Sequence, residues 1–126
     1  MNPTKTILIV EDQPQVATLM KCVLKLEGYN ALVASDVATA KRLLLWEPVD
    51  LLLSDVDLPD GNGLELCQWV RTQEALQSIK IIICSARLEP DLEQRAFQAG
   101  AVACLAKPFS LDQFTTTVRS HIPWKP

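Results

Sequence analysis

Five side chains that could take part in chemistry each follow a short apolar run in this 126-residue sequence. They are three carboxylates, one hydroxyl and one ammonium group: Glu11, Asp12, Asp55, Ser85 and Lys107. Clustered carboxylates with only oxygen ligands suit a hard cation, Mg2+ rather than zinc. A bound cation would also let Asp55 stay ionised as a nucleophile toward phosphorus. Because the five residues are far apart in the sequence, only the fold can gather them.

The apolar runs predict five strands. Each is short, rich in β-branched residues or leucine, and almost without polar residues, which is typical of strands buried on both faces of a sheet. We predict strands at residues 6–10, 30–34, 51–55, 80–85 and 103–106.

Helical spacing of apolar residues fills the segments between these strands. Pro14 suits a first helical position, Gly28 and Gly100 suit helix ends, and Ser35 or Asp36 can cap a helix that Pro48 ends. Ser110 and Gln113 have the spacing of a capping box. The predicted helices run from Pro14 to Gly28, from Asp36 to Pro48, from Leu64 to Thr72, from about Glu89 to Ala99, and through the stripe Leu111, Phe114, Val118 and Ile122.

Strands that alternate with helices predict one α/β domain, a doubly wound parallel sheet with right-handed crossovers. We expect this single domain to occupy residues 1–126, with its core at about 5–122. In such sheets ligands bind outside the carboxyl ends of the strands. The five chemical side chains follow those ends, so we expect them to converge at one edge.

Composition excludes several functions. A net charge of -3 argues against a partner such as nucleic acid or an anionic membrane, and no apolar run approaches the length of a membrane span. The four cysteines form no CxxC pair and the only histidine, His121, is expected half-exposed in a last helical turn. A zinc site and a Ser/His/Asp hydrolase are therefore not expected. Free thiols and the lack of a secretory pattern favour the cytoplasm.

Four segments, in order, resemble the receiver domain of bacterial two-component response regulators. They are Ile7 to Asp12, Asp55 to Pro59 with Gly63 following, Ile83 to Ala86, and Lys107 to Phe109. The resemblance implies a flavodoxin-like (βα)5 fold with a five-stranded parallel sheet in the order 2-1-3-4-5. It also implies a phosphoacceptor signalling domain rather than an enzyme.

The resemblance also implies a role for each site residue. Asp55 would accept a phosphoryl group from a histidine kinase, a phosphotransfer protein or a small phosphodonor. Mg2+ would be bound by Asp12, by Asp55, by the backbone carbonyl of Asp57, and by Glu11 through a water molecule. Lys107 would neutralise the phosphoryl oxygens and Ser85 would donate a hydrogen bond to one of them. Such a site works by positioning and charge neutralisation.

The family also implies details of the surrounding loops. A cis peptide bond is expected before Pro108. Gly61 and Gly63 suit a loop that needs positive φ, although an ordinary turn would use glycine as readily.

The sequence departs from the family pattern at two places. Cys104 replaces the aromatic residue expected three positions before the lysine, so the usual movement of that side chain during signalling is not available. Asp57 and Arg87 occupy two positions that vary widely in the family and that flank the path of the hydrolytic water. Their opposite charges could pair across the site or stay solvated at its rim.

Two other functions remain open. The Asp55-Val56-Asp57 segment also matches the nucleophile motif of haloacid-dehalogenase-like phosphatases, although their nucleophile lies on the first core strand and a further acidic pair follows the lysine. A pseudo-receiver that docks proteins without phosphorylation is the other alternative.

The remaining expectations concern partners and the end of the chain. A downstream protein partner and a homodimer through the fourth helix, fifth strand and fifth helix are expected. Whether the chain stands alone or belongs to a larger regulator is left open. Trp124 is expected to pack on the last helix or to form a tail contact.

Overall fold

Five parallel strands and five helices alternate along the chain in a computed structural model that describes residues 4–123. The strands of the main sheet are β1 (Thr6–Val10), β2 (Asn30–Ala34), β3 (Leu51–Asp55), β6 (Lys80–Ser85) and β7 (Ala103–Ala106). Two short strands, β4 (Asp57–Leu58) and β5 (Gly61–Asn62), form a separate antiparallel hairpin. The helices are α1 (Pro14–Leu26), α2 (Val37–Trp46), α3 (Gly63–Thr72), α4 (Pro90–Ala99) and α5 (Leu111–His121), and a 3-10 turn spans Glu74–Leu76.

The order of the main sheet is β2-β1-β3-β6-β7, with every neighbouring pair parallel. Leaving aside the hairpin, this is the predicted order 2-1-3-4-5, so the doubly wound fold is confirmed. Alternate side chains of each strand face opposite layers. Leu8 and Ile81 lie in the layer under α2, α3 and α4, whereas Ile7 and Ile82 lie in the layer under α1 and α5.

The predicted helix boundaries rest on local capping, and the structure shows these caps. Of the two candidates before α2, Asp36 is the cap, because its carboxylate accepts a hydrogen bond from the Thr39 amide at 2.7 Å. Ser110 and Gln113 form the predicted capping box of α5. Gly28 and Gly100 have φ values of 96° and 110°, in the left-handed region that ends helices.

The segment after Asp55 differs from the prediction. The glycines of this loop suited either a positive φ or an ordinary turn, and neither Gly61 nor Gly63 has positive φ. Instead Gly61 lies in an extended strand that pairs with Leu58, and Gly63 opens α3 one residue earlier than predicted. Glycine is required at position 63 because there is no space for a side chain, and not because the backbone angle is unusual.

Two expectations concern the ends and surface of the molecule. His121 is half-buried in the last turn of α5, as predicted, while Trp124 lies outside the described residues. Between residues 4 and 123, no helix is both long and apolar enough to span a membrane.

Candidate functional site

The five chemical side chains lie at the carboxyl-terminal edge of the main sheet. β3 lies between β1 and β6, and β6 lies between β3 and β7. Register pairs Val10 with Ser54, Asp55 with Cys84, and Ser85 with Ala106, so the ends of these four strands are level. The predicted convergence of residues from distant parts of the sequence is therefore seen at this edge.

Three carboxylates form the negative part of the site. One oxygen from each of Glu11, Asp12 and Asp55 lies within 4.8 Å of the other two. Glu11 is buried, Asp12 is exposed, and Asp55 lies between these extremes with 17% of its side chain exposed. Three carboxylates held this close repel one another unless a positive charge lies among them. Their oxygen-only ligand set fits a hard cation such as Mg2+.

Lys107 supplies a positive charge to this cluster. Its ammonium group pairs with the carboxylate of Glu11 and lies 3.3 Å from Oδ2 of Asp55. Burial lowers the pKa of Lys107, but the hydrogen bond that its ammonium donates to Glu11 and the negative charge of Asp55 outweigh this effect and leave the pKa raised. Lys107 therefore stays charged between two carboxylates. The peptide bond to Pro108 is cis, as the family resemblance implies.

Asp55 is held in an environment that disfavours its charge. Burial raises the pKa of its carboxyl, Lys107 lowers it in part, and the negative charge of Glu11 raises it further, so the net pKa is raised. The two carboxylate oxygens have different partners. Oδ1 accepts a hydrogen bond from the Val56 amide at 2.9 Å, and Oδ2 faces Lys107 at 3.3 Å. The side chain is thereby fixed in orientation at the end of β3.

The backbone of Asp55 is held by two residues whose roles the sequence did not reveal. Ser54 is fully buried, and its hydroxyl donates a hydrogen bond to the Asp55 carbonyl at 2.9 Å. A Cβ atom on Gly63 would lie only 2.1 Å from that same carbonyl oxygen. The amide of Gly63 donates to the Val56 carbonyl at 2.8 Å, which fixes the start of α3 against the end of β3. A serine in an otherwise apolar strand was the available signal for Ser54.

Ser85 and Cys104 lie on the neighbouring strands. Ser85 is buried, and its hydroxyl accepts a hydrogen bond from the Arg87 amide at 3.0 Å. Across residues 4–123 that hydroxyl forms no hydrogen bond with Asp55. Cys104 is half-buried on β7, where it pairs in register with Ile83 and packs against the layer of α2, α3 and α4. Burial raises the pKa of Cys104, and the charge of Glu93 adds to this.

Asp57 and Arg87 form the exposed rim of the site. Both side chains are exposed, and no ion pair joins them in the described part of the chain. Of the two arrangements that the sequence left open, the structure therefore has both charges solvated. The backbone of Asp57 begins β4 and pairs with Asn62.

The chain is similar to known response regulators over nearly its whole length. The response regulator receiver domain family matches residues 7–119. The polar-differentiation response regulator DivK of Brucella ovis is 31% identical over 119 residues, which cover 94% of this chain and 97% of DivK.

Solved structures agree with this similarity. The non-phosphorylated receiver domain of HemR from Leptospira biflexa superposes with a TM-score of 0.88 and 27% identity, covering 98% of each chain. The receiver domain of a signal transduction histidine kinase from Syntrophus aciditrophicus has a TM-score of 0.86 and 30% identity, covering 94% of this chain and 90% of the other. Receiver domains are signalling modules that interact with histidine kinases or phosphotransfer proteins and with downstream partners. The fold, the acidic cluster and these similarities together show that the chain belongs to the receiver domain family of response regulators.

Proposed function

We propose that Asp55 accepts a phosphoryl group from a histidine kinase or phosphotransfer protein and that the added charge changes the contacts of the domain with a downstream protein. The observation that carries this proposal is the Asp55 carboxylate, grouped with two other carboxylates and 3.3 Å from the Lys107 ammonium. This arrangement combines a nucleophile with charge neutralisation, the two things that phosphoryl transfer requires.

The same residues are suited to hold Mg2+. Asp12 and Asp55 would bind the cation directly, the backbone carbonyl of Asp57 would contribute a third ligand, and Glu11 would act through a water molecule. The fit rests on the oxygen-only donor set and on the proximity of the three carboxylates. When bound, the cation supplies neutralisation of the negative charge shared by the carboxylates and the phosphoryl group.

The protein's own residues divide the transfer between them. An oxygen of Asp55 forms the new bond to phosphorus while the bond from phosphorus to the histidine nitrogen of the donor breaks, and the electron pair of that bond stays on the imidazole. The ammonium of Lys107 neutralises the phosphoryl oxygens. The Ser85 hydroxyl, which now accepts from the Arg87 amide, turns to donate to a phosphoryl oxygen that would otherwise lack a partner.

The test is phosphorylation by acetyl phosphate, followed by intact mass measurement. The wild type with Mg2+ should gain the mass of one phosphoryl group, and Asp55→Asn should gain none. Asp57→Asn is the matched control, because it makes the same change two residues away but keeps the backbone carbonyl, and it should still be phosphorylated. Asp12→Ala should remove the Mg2+ dependence together with most of the rate. A wild type that gains no mass, and binds no beryllofluoride, would contradict the proposal.

That failure would favour the docking module that needs no phosphorylation. Repeated turnover of p-nitrophenyl phosphate, in place of a single stoichiometric addition, would favour the phosphatase alternative. Neither alternative is favoured by an observation on residues 4–123 or by the similar proteins.

We also propose the extent of the domain, its location and its partner surface. We propose a single receiver domain over residues 1–126, with its core at about 5–122. Four free cysteines suit a reducing compartment, which supports a cytoplasmic location. The face formed by α4, β7 and α5 is proposed as the surface for a homodimer or a downstream protein. Phe97 of α4 supports this, because 46% of its surface is exposed there.

A further inference from the structure

The hairpin that follows the acceptor strand is fastened to helix α2 by one carboxylate. Asp60 lies at the tip between β4 and β5. Its Oδ1 accepts a hydrogen bond from the Val37 amide at 2.7 Å, and its Oδ2 accepts one from the Ala38 amide at 3.0 Å. These bonds join residues 22 and 23 positions apart in the sequence. They connect the acceptor loop to an element that contributes no side chain to the proposed phosphorylation site.

The helix end that receives Asp60 has a cap of its own. Asp36 accepts from the Thr39 amide at 2.7 Å, and its carbonyl accepts from the Ala40 amide at 3.1 Å. The first amides of a helix have no partners within the helix, and carboxylates bind them favourably because of the helix dipole. Asp36 therefore satisfies the Thr39 amide locally, and Asp60 satisfies two more, those of Val37 and Ala38. Two carboxylates thus complete the N-terminus of α2.

The packing at the hairpin tip supports the same connection. A Cβ atom on Gly61 would lie 3.1 Å from Cγ2 of Val37, so the hairpin lies directly against the first residue of α2. The base of the hairpin is Asp57, which pairs with Asn62 and follows Asp55 by two residues. Because β4 and β5 are only two residues each, a contact at the tip restrains the base.

We infer that Asp60 is a positioning residue for the cation site: by binding the N-terminus of α2 it holds the hairpin, and with it the Asp57 carbonyl, in place. This inference rests on the proposed function, because the Asp57 carbonyl matters only if the site binds Mg2+. Asp60 touches neither the acceptor nor the cluster of carboxylates. It acts through the backbone of β4.

The chain offers a matched pair of variants for the test. Asp60→Ala and Asp36→Ala each remove one negative charge and one cap from the same helix end, but only Asp60→Ala releases the hairpin. Mg2+ affinity is measured by calorimetric titration, and amide exchange of residues 56–62 is measured without Mg2+. We expect Asp60→Ala to raise the Mg2+ dissociation constant by about fivefold, the equivalent of losing one cap, and to speed exchange in the hairpin. Asp36→Ala should change neither, although it lowers stability.

The outcomes separate the inference from the proposed function. Equal effects of the two variants on Mg2+ affinity, or no effect of Asp60→Ala, would overturn the inference, because charge or helix stability would then be sufficient. A wild type that binds no Mg2+ would contradict the proposed function instead. In that case the exchange measurement still decides whether Asp60 holds the hairpin. If Asp60→Ala does not fold, Asp60→Asn replaces it. An amide side chain offers one acceptor to two amides, so we expect a smaller change in the same direction.

Discussion

Replacing Gly63 by alanine would test how closely α3 must approach the acceptor. The new Cβ atom would lie 2.1 Å from the carbonyl oxygen of Asp55 and 3.0 Å from Oγ of Ser54. Ordinary van der Waals contact begins near 3.4 Å, so either the start of α3 or the end of β3 must move by about 1 Å. Neither partner can turn away, since one is backbone and the other is a fully buried side chain.

Opposing effects set the size of the stability change. Alanine is favoured over glycine in a helix by about 1 kcal/mol, whereas forcing extra volume into a packed region costs about 1–3 kcal/mol. We expect a net loss of up to about 2 kcal/mol and a fall in Tm of up to about 8 °C for a domain of this size. The effect on chemistry should be larger. A displacement of about 1 Å at a reacting group can cost about 100-fold in rate.

The assay compares Gly63→Ala with Gly61→Ala. In Gly61→Ala the new atom would lie 3.1 Å from a methyl group of Val37, a contact that a shift of a few tenths of an ångström relieves. Thermal unfolding and the rate of phosphorylation by acetyl phosphate are measured for both. We expect Gly63→Ala to be slow and less stable, and Gly61→Ala to stay near the wild type. If Gly63→Ala phosphorylates as fast as the wild type at unchanged Tm, the close approach of α3 does not position Asp55.

Three further predictions concern titration, thiols and signalling. Burial holds the pKa of Asp55 above its ordinary value of 3.8, so the free energy of unfolding should fall as the pH rises from 3.8 through the raised pKa. Metal-free urea titrations of Asp55→Asn should not show this fall. The variant should also be more stable than the wild type at neutral pH. A thiol reagent should label exposed Cys22 first and Cys104 slowly, whereas Cys67 and Cys84, with pKa values raised by burial to about 11 and about 12, should react only on unfolding. Beryllofluoride should change amide exchange in residues 88–106 only slightly, because Cys104 is too small to fill the space that Ser85 vacates. Cys104→Tyr should enlarge the change. A large change in the wild type that Cys104→Tyr does not enlarge would contradict this prediction.

The sequence by itself was sufficient for the architecture. Each strand of the main sheet is a run of apolar residues with almost no polar interruption, and the predicted bounds of all five strands agree with the structure. A strand that is buried on both faces of a sheet needs apolar residues at nearly every position, so a few consecutive residues are enough to recognise it. Helix ends were predictable for the same reason, since a cap such as Asp36 or a glycine such as Gly100 acts within one turn. The edge at which Glu11, Asp55 and Lys107 meet followed from the parallel topology.

The contacts within that edge could not be predicted in this way. The sequence indicated charge neutralisation by Lys107, but not that its ammonium pairs with Glu11 as well as with Asp55. It also left open whether Asp57 and Arg87 pair; in the structure both side chains are exposed, and no ion pair joins them in the described part of the chain.

The support of the acceptor loop was likewise decided by the tertiary structure. The hydrogen bonds of Asp60 to α2 and the approach of Gly63 to Asp55 depend on how helices α2 and α3 lie against the sheet. Strand bounds and caps depend on neighbours within a few residues, so local composition predicts them. The contacts of Asp60 and Gly63, by contrast, join residues far apart along the chain, and shifts of about 1 Å in packing determine their geometry. Side-chain type and spacing carry no information on shifts of that size, because the shifts arise only when the packed layers meet.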